Sequence, residues 1–439
     1  MDGGRMNPVF PTAFLERMKE QLGAEWPLFE AACGDRPQRG IRFQPEKAPE
    51  LAERLSAGLD PIPWAEHARY LPADSDLGKT AAHEAGLFYL QEPSAMIPAA
   101  VLDVKPGETI LDLCAAPGGK STQIGAAMKG KGLLVCNEIV SQRAQILSRN
   151  VERMGITNAT VTNESPDRLA AYWPEGFDAV LADAPCSGEG MFRRDPETAA
   201  EWLPERAAGC AERQKSILHS AAALVRPGGR LVYSTCTFHP EENEGVVRWF
   251  LHAHPEFTAV PFRIAGQTCA LGWETFYPHR IRGEGQFAAC FRKEGEGEAR
   301  IGAFSRPLQP DGRRMLRQIF PEELPDLHQI GRMIISQPVL PRTDGLRVLR
   351  QGLRIAEMRE NYLIPDHALA MSGWKLSAGV REMDETETVR YLSGETMEGA
   401  GSGWMLARYR GLNLGWGKTS QGVFKNHYPK GLRKTVLRP

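Results

Sequence analysis

No two cysteines of this 439-residue chain stand in a C-x-x-C spacing. There are eight: Cys33, Cys114, Cys136, Cys186, Cys210, Cys236, Cys269 and Cys290. Their scatter argues against a zinc knuckle, and no metal is expected. No apolar run approaches the roughly 18 residues that span a bilayer. The opening Met1-Asp2-Gly3-Gly4-Arg5-Met6 holds no apolar signal segment. A cytoplasmic chain without membrane contact is expected, with its thiols reduced. Net charge is also scarce, since 53 Lys and Arg against 54 Asp and Glu leave −1. That excludes a uniformly polycationic binder of nucleic acid. Internal repeats and low-complexity tracts are absent, and nothing demands a partner chain, so a monomer is expected.

The charge is unevenly spread. Residues 408–439 carry Arg408, Arg410, Lys418, Lys425, Lys430, Arg433, Lys434 and Arg438 with no Asp or Glu. Tyr409, Trp416, Phe424 and Tyr428 are interleaved with them. Positive charge among aromatic rings suits RNA backbone and base contact; a solvated basic tail is the alternative.

The length predicts more than one domain. Residues 1–85 read as a small α+β unit. Phe14-Leu15-Glu16-Arg17-Met18 and Leu51-Ala52-Glu53-Arg54-Leu55 have helical apolar spacing, and Arg39-Gly40-Ile41-Arg42-Phe43 reads as a strand. Its functional reading is a grip on RNA; packing against the next domain is the alternative. Residues 86–293 alternate strand and helix patterns. Strands are predicted at 109–113, 132–137, 159–162, 177–182, 230–234 and 286–291, with helices such as 141–154 and 211–225 between them. This predicts an α/β fold, a mostly parallel sheet covered on both faces. Cys136 and Cys290 fall inside strand runs and are expected in the core. Residues 294–370 read as a connecting region, in which Leu346–Ile355 is expected to form a basic hairpin. Residues 371–439, rich in Gly and short strands, predict a small β-rich, barrel-like domain.

Three polar turns follow apolar strands. Leu111-Asp112-Leu113 runs into Cys114-Ala115-Ala116-Pro117-Gly118-Gly119-Lys120. Val180-Leu181-Ala182 runs into Asp183-Ala184-Pro185-Cys186-Ser187-Gly188. Leu231-Val232-Tyr233 runs into Ser234-Thr235-Cys236-Thr237-Phe238. A parallel sheet gathers such turns at its carboxyl ends, where ligands bind. The first turn ends in Gly-Lys-Ser like a Walker A loop, but Cys114 stands where that loop needs its first Gly. Glu138, closing the next strand, is placed for a ribose hydroxyl. A nucleoside cofactor without a polyphosphate fits, and S-adenosylmethionine is one. A nucleophilic thiol must be partly exposed and held as thiolate, which polar turns allow. Cytosine C5 is a poor nucleophile. Methylating it needs a thiolate on C6, then a base for the C5 proton. Asp183 could accept from the amino edge of such a base. A target base must be unstacked; Phe192 and Gln91-Glu92-Pro93-Ser94 are candidate walls, with loop packing the equal alternative. The pattern leaves open which cysteine attacks.

With those residues in place, the chain resembles the Sun-type RNA cytosine-5 methyltransferase family. Leu113–Lys120 looks like its cofactor motif, and the segments around Cys186 and Cys236 look like its two cysteine motifs. Gln91-Glu92-Pro93-Ser94-Ala95-Met96 resembles the segment leading into its catalytic domain. The C-terminal Gly415-Trp416-Gly417-Lys418 and Asn426-His427-Tyr428-Pro429-Lys430-Gly431 resemble the bacterial small-subunit ribosomal RNA branch, methyltransferase F. The resemblance implies a class I, Rossmann-like methyltransferase domain binding S-adenosylmethionine and a PUA-like C-terminal domain helping to bind RNA. It implies Cys236 as nucleophile on C6, Cys186 as the residue assisting release, and Asp183 and Lys120 as cytosine contacts. Residues 114–120, Glu138 and Asp183 would line the cofactor site. Where the family often has an Asp near adenine, this chain has Asn163-Glu164-Ser165-Pro166-Asp167; Ser165 is the candidate and Asp167 the alternative.

The expected function is formation of 5-methylcytosine in RNA, foremost 16S ribosomal RNA, free or in a 30S particle, with transfer RNA as an alternative substrate. A nucleotide triphosphatase using Gly119-Lys120-Ser121 and a non-catalytic ribosome-assembly factor are the rivals from other classes. DNA methylation is a nearer rival, disfavoured by the C-terminal segment.

Overall fold

A computed structural model describes residues 10–320 and 322–434. Arg438 and the opening residues 1–6 discussed above lie outside them. In the N-terminal region, strands β1 (Arg39–Phe43), β2 (Ala68–Leu71) and β3 (Phe88–Gln91) form an antiparallel sheet in the order β2-β1-β3. This sheet runs to Gln91, past the expected boundary at residue 85. Helices Thr12–Leu22, Trp26–Cys33 and Pro49–Ser56 accompany it.

The central sheet holds β4 (Thr109–Asp112), β5 (Leu133–Asn137), β6 (Ala159–Thr162), β7 (Phe177–Asp183) and β8 (Val225–Thr235), all parallel, in the order β8-β7-β4-β5-β6. The chain winds outward from β4 to β6 and then returns to β7 on the other side of β4. The carboxyl ends of β4 and β7 therefore flank a topological switch point, where such sheets open a crevice. Beyond β8 lie β9 (Phe257–Ala259), the β10 (Phe262–Ile264) and β11 (Gln267–Cys269) hairpin, β12 (Trp273–Phe276) and β13 (Gln286–Lys293). Of these, β13 pairs antiparallel with β8, and both β9 and β12 pair with β13.

Alternation along the strands builds two cores, because successive side chains point to opposite faces. Ile110, Leu134, Cys136, Val161, Leu181, Val232 and Cys290 pack with helices Ile97–Leu102, Gly119–Met128 and Ser141–Arg153. Leu111, Leu133, Val135, Val180, Leu231, Tyr233 and Phe291 pack with helices Pro166–Tyr172, Arg206–Leu224 and Glu244–Ala253. Cys136 and Cys290 are buried, as strand residues in apolar runs should be.

The connecting region supplies β14 (Leu327–Ile330), β15 (Met333–Ser336), β16 (Val348–Gln351), β17 (Leu353–Met358) and β18 (Leu363–Pro365). Here the expected basic hairpin is corrected. β16 pairs with β6 at the edge of the central sheet, whereas β17 joins β15 and β18 in a separate sheet. Gly352 turns the chain between them with φ +59, and a Cβ there would lie 2.6 Å from the Ser336 carbonyl oxygen. Two strands adjacent in sequence are thus diverted to different partners.

The C-terminal strands β19 (Gly379–Glu382), β20 (Met397–Glu398), β21 (Gly403–Tyr409), β22 (Leu412–Ser420) and β23 (Val423–Asn426) form a sheet in the order β19-β21-β22-β23-β20. Phe424 of this sheet, Tyr391 and Leu392 of helix Glu385–Ser393, and Tyr428 share one apolar cluster with Ile41, Phe43, Leu51 and Phe88 of the N-terminal region. The N-terminal and C-terminal regions therefore pack together. Among the described residues no helix is long and apolar enough to cross a membrane.

Candidate active site

The turns that follow β7 and β8 meet. Cys186 Sγ lies 3.4 Å from Cys236 Sγ. Lys120, in the first turn of helix Gly119–Met128, places Nζ 2.8 Å from Asp183 Oδ2. Ser234 Oγ donates to Asp183 Oδ1 at 2.6 Å, and Gln286 Nε2 donates to the same oxygen at 3.4 Å. Asp183 is thereby fixed while keeping partial exposure. The contact with Cys236, then burial, pushes the Cys186 thiol well above the ordinary range. Burial opposes the charge on Lys120, yet the Asp183 carboxylate outweighs it and holds the ammonium above the ordinary lysine value. A cation, a carboxylate and two inequivalent thiols thus face one another.

Glu242 organises the turn that carries Cys186, and the sequence reading missed it. It is buried, and it accepts from Ser187 N at 3.0 Å, from Ser187 Oγ, and from Gln214 Nε2 at 2.8 Å. Gln214 also donates to the Pro185 carbonyl at 3.0 Å. Neighbouring Asn243 accepts from Thr235 Oγ1 at 2.6 Å and donates to the Thr237 carbonyl at 3.0 Å, bracketing Cys236. Pro240-Glu241-Glu242-Asn243 follows the second cysteine motif after one residue, His239. That acidic cluster was the available signal.

The first turn forms the other half of the crevice. Gly118 has φ +112, a conformation that favours glycine, and it starts helix Gly119–Met128. Ala115 and Ala116 are buried, and the Ala116 and Pro117 carbonyls accept from Arg143 Nη2 at 2.9 Å and Asn150 Nδ2 at 2.8 Å. Cys114 is largely enclosed, which pushes its thiol up and makes it a packing residue behind the turn. Glu138 Oε1 accepts from Val140 N at 2.8 Å, and Oε2 lies 3.4 Å from Arg143 Nη1. Beside it Ile139 is 61% exposed, an apolar face next to a carboxylate. Asn163 is tied down, donating to the Glu138 and Ile139 carbonyls at 2.7 and 2.9 Å. Ser165 precedes helix Pro166–Tyr172 at the end of β6, and its bond to Asp167 holds that exposed carboxyl below the usual range.

Asp112, at the end of β4, is fully enclosed. Its Oδ2 accepts from Ser121 Oγ at 2.6 Å, while Oδ1 has no partner among the described residues. This orphaned acceptor beside a glycine turn, with Glu138 and Ile139 across from it, fits a nucleoside-bearing cofactor with donors of its own. Burial raises the Asp112 pKa to about 7. The folded state therefore holds this proton more tightly than the unfolded state, and the stabilisation it gives at low pH is lost as pH rises towards 7. Asp112→Asn is expected to flatten the fall of stability between pH 4 and 7, measured by urea unfolding across that range.

Phe192 requires a correction. Expected as a pocket wall, it is completely buried, with ring centroids 5.1 Å from Phe14 and 6.1 Å from Trp202. The helices of the N-terminal region cover it, an arrangement that no local pattern announces. Phe192→Ala should lower stability by about 3–5 kcal/mol, the usual cost of removing a buried aromatic, read from chemical denaturation. Gln91 and Glu92 are likewise tied into loops: Gln91 Nε2 donates to the Ala95 carbonyl at 3.1 Å, and Glu92 accepts from Ser94 N at 2.9 Å and Glu284 N at 2.8 Å.

A switch-point crevice with a glycine turn on β4, an acidic residue closing β5 and paired thiols after β7 and β8 defines a methyltransferase domain of the Rossmann-like class. Residues 99–292 match the family described as 16S rRNA methyltransferase RsmB/F. Residues 10–93 match the N-terminal domain of 16S rRNA methyltransferase RsmF, and residues 379–434 match the methyltransferase RsmF PUA domain. Ribosomal RNA small subunit methyltransferase F of Vibrio parahaemolyticus serotype O3:K6 is 33% identical, over 97% of this chain and 98% of that protein. Its counterpart in Escherichia coli O127:H6 is 40% identical over 65% and 63%. A solved structure of a methyltransferase homolog protein from Pyrococcus horikoshii is 27% identical with a TM-score of 0.57, covering 65% of this chain and 96% of that one. The chain belongs to the 16S ribosomal RNA methyltransferase F family of S-adenosylmethionine-dependent methyltransferases.

Proposed function

We propose that this enzyme forms 5-methylcytosine in 16S ribosomal RNA through a covalent bond between Cys236 and cytosine C6. The observation that carries the reading is the pair of sulfurs 3.4 Å apart beside the Lys120–Asp183 ion pair. The contact with Cys236 and burial push the Cys186 thiol up, which disfavours Cys186 as the thiolate and supports Cys236 in that role. Its attack on C6 forms the S–C6 bond and moves the electron pair towards C5. Asp183 accepts from the amino edge of the base, and Lys120 holds charge at the same edge. Bound S-adenosylmethionine supplies an electrophilic methyl group; Asp112, Gly118, Gly119, Glu138 and Ile139 would hold it, with Ser165 or Asp167 at the adenine end. Once C5 carries the methyl group, a base near Cys186 removes the C5 proton. The electron pair then reforms the C5–C6 double bond, and Cys236 leaves.

The same reading divides the chain into an N-terminal unit, expected at 1–85 and carried on to Gln91 by its sheet, a methyltransferase domain to 293, a connecting region at 294–370 and a C-terminal domain at 371–439, with RNA contacts at both ends. Lys418 and Lys425 are exposed and cross-strand neighbours, and the Lys418 ammonium lies 5.5 Å from the Trp404 ring centroid, which supports an RNA-facing C-terminal sheet. The test uses 16S RNA, naked and in 30S particles, carrying tritium at cytosine C5. Tritium release equal to methyl transfer supports the proposal. Methyl transfer with tritium retained contradicts it, and transfer only to transfer RNA would replace the substrate.

A further inference from the structure

We propose that Arg17, on helix Thr12–Leu22, is a positioning residue for the turn that carries Cys236; this rests on the reading of Cys236 as nucleophile. Helix Thr12–Leu22 lies against both thiol turns. Arg17 Nη2 donates to Glu189 Oε1 at 2.5 Å, and Nη1 reaches the Phe238 carbonyl at 3.5 Å. Gln21 Nε2 donates to the same carbonyl at 3.2 Å and to Tyr277 Oη at 2.7 Å.

Glu189 follows the Cys186 turn and reaches across to the Cys236 turn. Its Oε2 accepts from Phe238 N at 3.1 Å, and the next residue, Gly190, donates its N–H to the Cys236 carbonyl at 2.8 Å. Residues 189 and 190 therefore grip the backbone at Cys236 and two residues beyond it. The fit is close: a Cβ on Gly190 would lie 2.8 Å from the Cys236 carbonyl oxygen and 3.3 Å from that of Gly285. The Glu189 side chain has no exposed surface, while that of Arg17 is 21% exposed. A carboxylate so enclosed needs its charge met, and Arg17 meets it from 172 residues away in sequence. Burial pushes the Glu189 carboxyl up, and Arg17 works against that shift. Without Arg17, the carboxyl takes a proton or turns away from Phe238 N, and the Cys236 turn loses its register against Asp183. Arg17 touches no reacting atom in this scheme; it acts through Glu189.

The experiment measures methyl transfer from labelled S-adenosylmethionine to 16S RNA by the full chain. It compares wild type, Arg17→Lys, Arg17→Met and the double variant Arg17→Met/Glu189→Gln. Arg17→Met is expected to lower kcat roughly 100-fold, the scale of an ångström's misplacement of a reacting group, with the KM for RNA nearly unchanged. Arg17→Lys should fall between. The double variant should recover about tenfold or more of that loss, because a neutral amide still accepts from Phe238 N and needs no cation. A raised KM for RNA with kcat unchanged would make Arg17 an RNA contact and overturn the proposal. So would a double variant as slow as Arg17→Met, the outcome of a merely structural loss. Wild-type transfer in the same assay keeps the two readings apart. An inactive wild type overturns the RNA methylation reading and this proposal with it, whereas an active wild type with either adverse result overturns the positioning role alone.

Discussion

Cys236→Ala should abolish methyl transfer, by about 10⁴-fold or more, because it removes the group that makes C5 nucleophilic. Cys186→Ala should fail differently. In the proposed scheme attack on C6 does not require the Cys186 thiol, so the covalent bond should still form while release stalls. The variant should accumulate RNA-bound protein on a denaturing gel, and Cys236→Ala should show none. The proposed roles differ although the residues are of one chemical type. Their sulfurs are 3.4 Å apart, and the Cys186 thiol is pushed up by its contact with Cys236 and by burial, which favours Cys236 for attack. An adduct with Cys236→Ala and none with Cys186→Ala would exchange the roles.

Asp183→Asn should cost roughly 10²–10³ in kcat, the usual loss when one preorganised electrostatic contact is removed from an enclosed site. The residue has two tasks. In the proposed scheme it offers a carboxylate to the amino edge of the base, and it balances Lys120, whose ammonium lies 2.8 Å away and is almost buried. An amide can still accept from Ser234 Oγ, so the turn should hold its shape while its charge is lost. Binding of S-adenosylmethionine, measured by calorimetry, should change far less than kcat. Equal losses in both would place Asp183 chiefly in the cofactor site.

Much of this was legible in the chain. Strands such as Ala159–Thr162 and Arg39–Phe43 are short apolar or alternating runs bounded by turn residues, and they form where the pattern puts them. The thiol turns were legible because a parallel sheet collects the residues after its strands at one end. What the pattern could not show were contacts made at long range. Phe192 follows a glycine-rich turn and looks like a loop aromatic, but helices from the first 35 residues bury it. The hairpin expected at Leu346–Ile355 has the right local alternation, yet β6 and β15 offer separate open edges that claim its two halves. Glu242 lay in plain view as part of an acidic cluster. Its task became visible only once Ser187 and Gln214 were brought to it by the fold.

The most direct test of the account is to locate the covalent bond. Cys186→Ala would be incubated with 16S RNA and S-adenosylmethionine, digested with nuclease and protease, and the peptide bearing a residual nucleotide identified by mass spectrometry. The account predicts a methylated cytidine on the peptide that contains Cys236. A nucleotide on any other residue, or no adduct while the wild type methylates the same RNA, would contradict it.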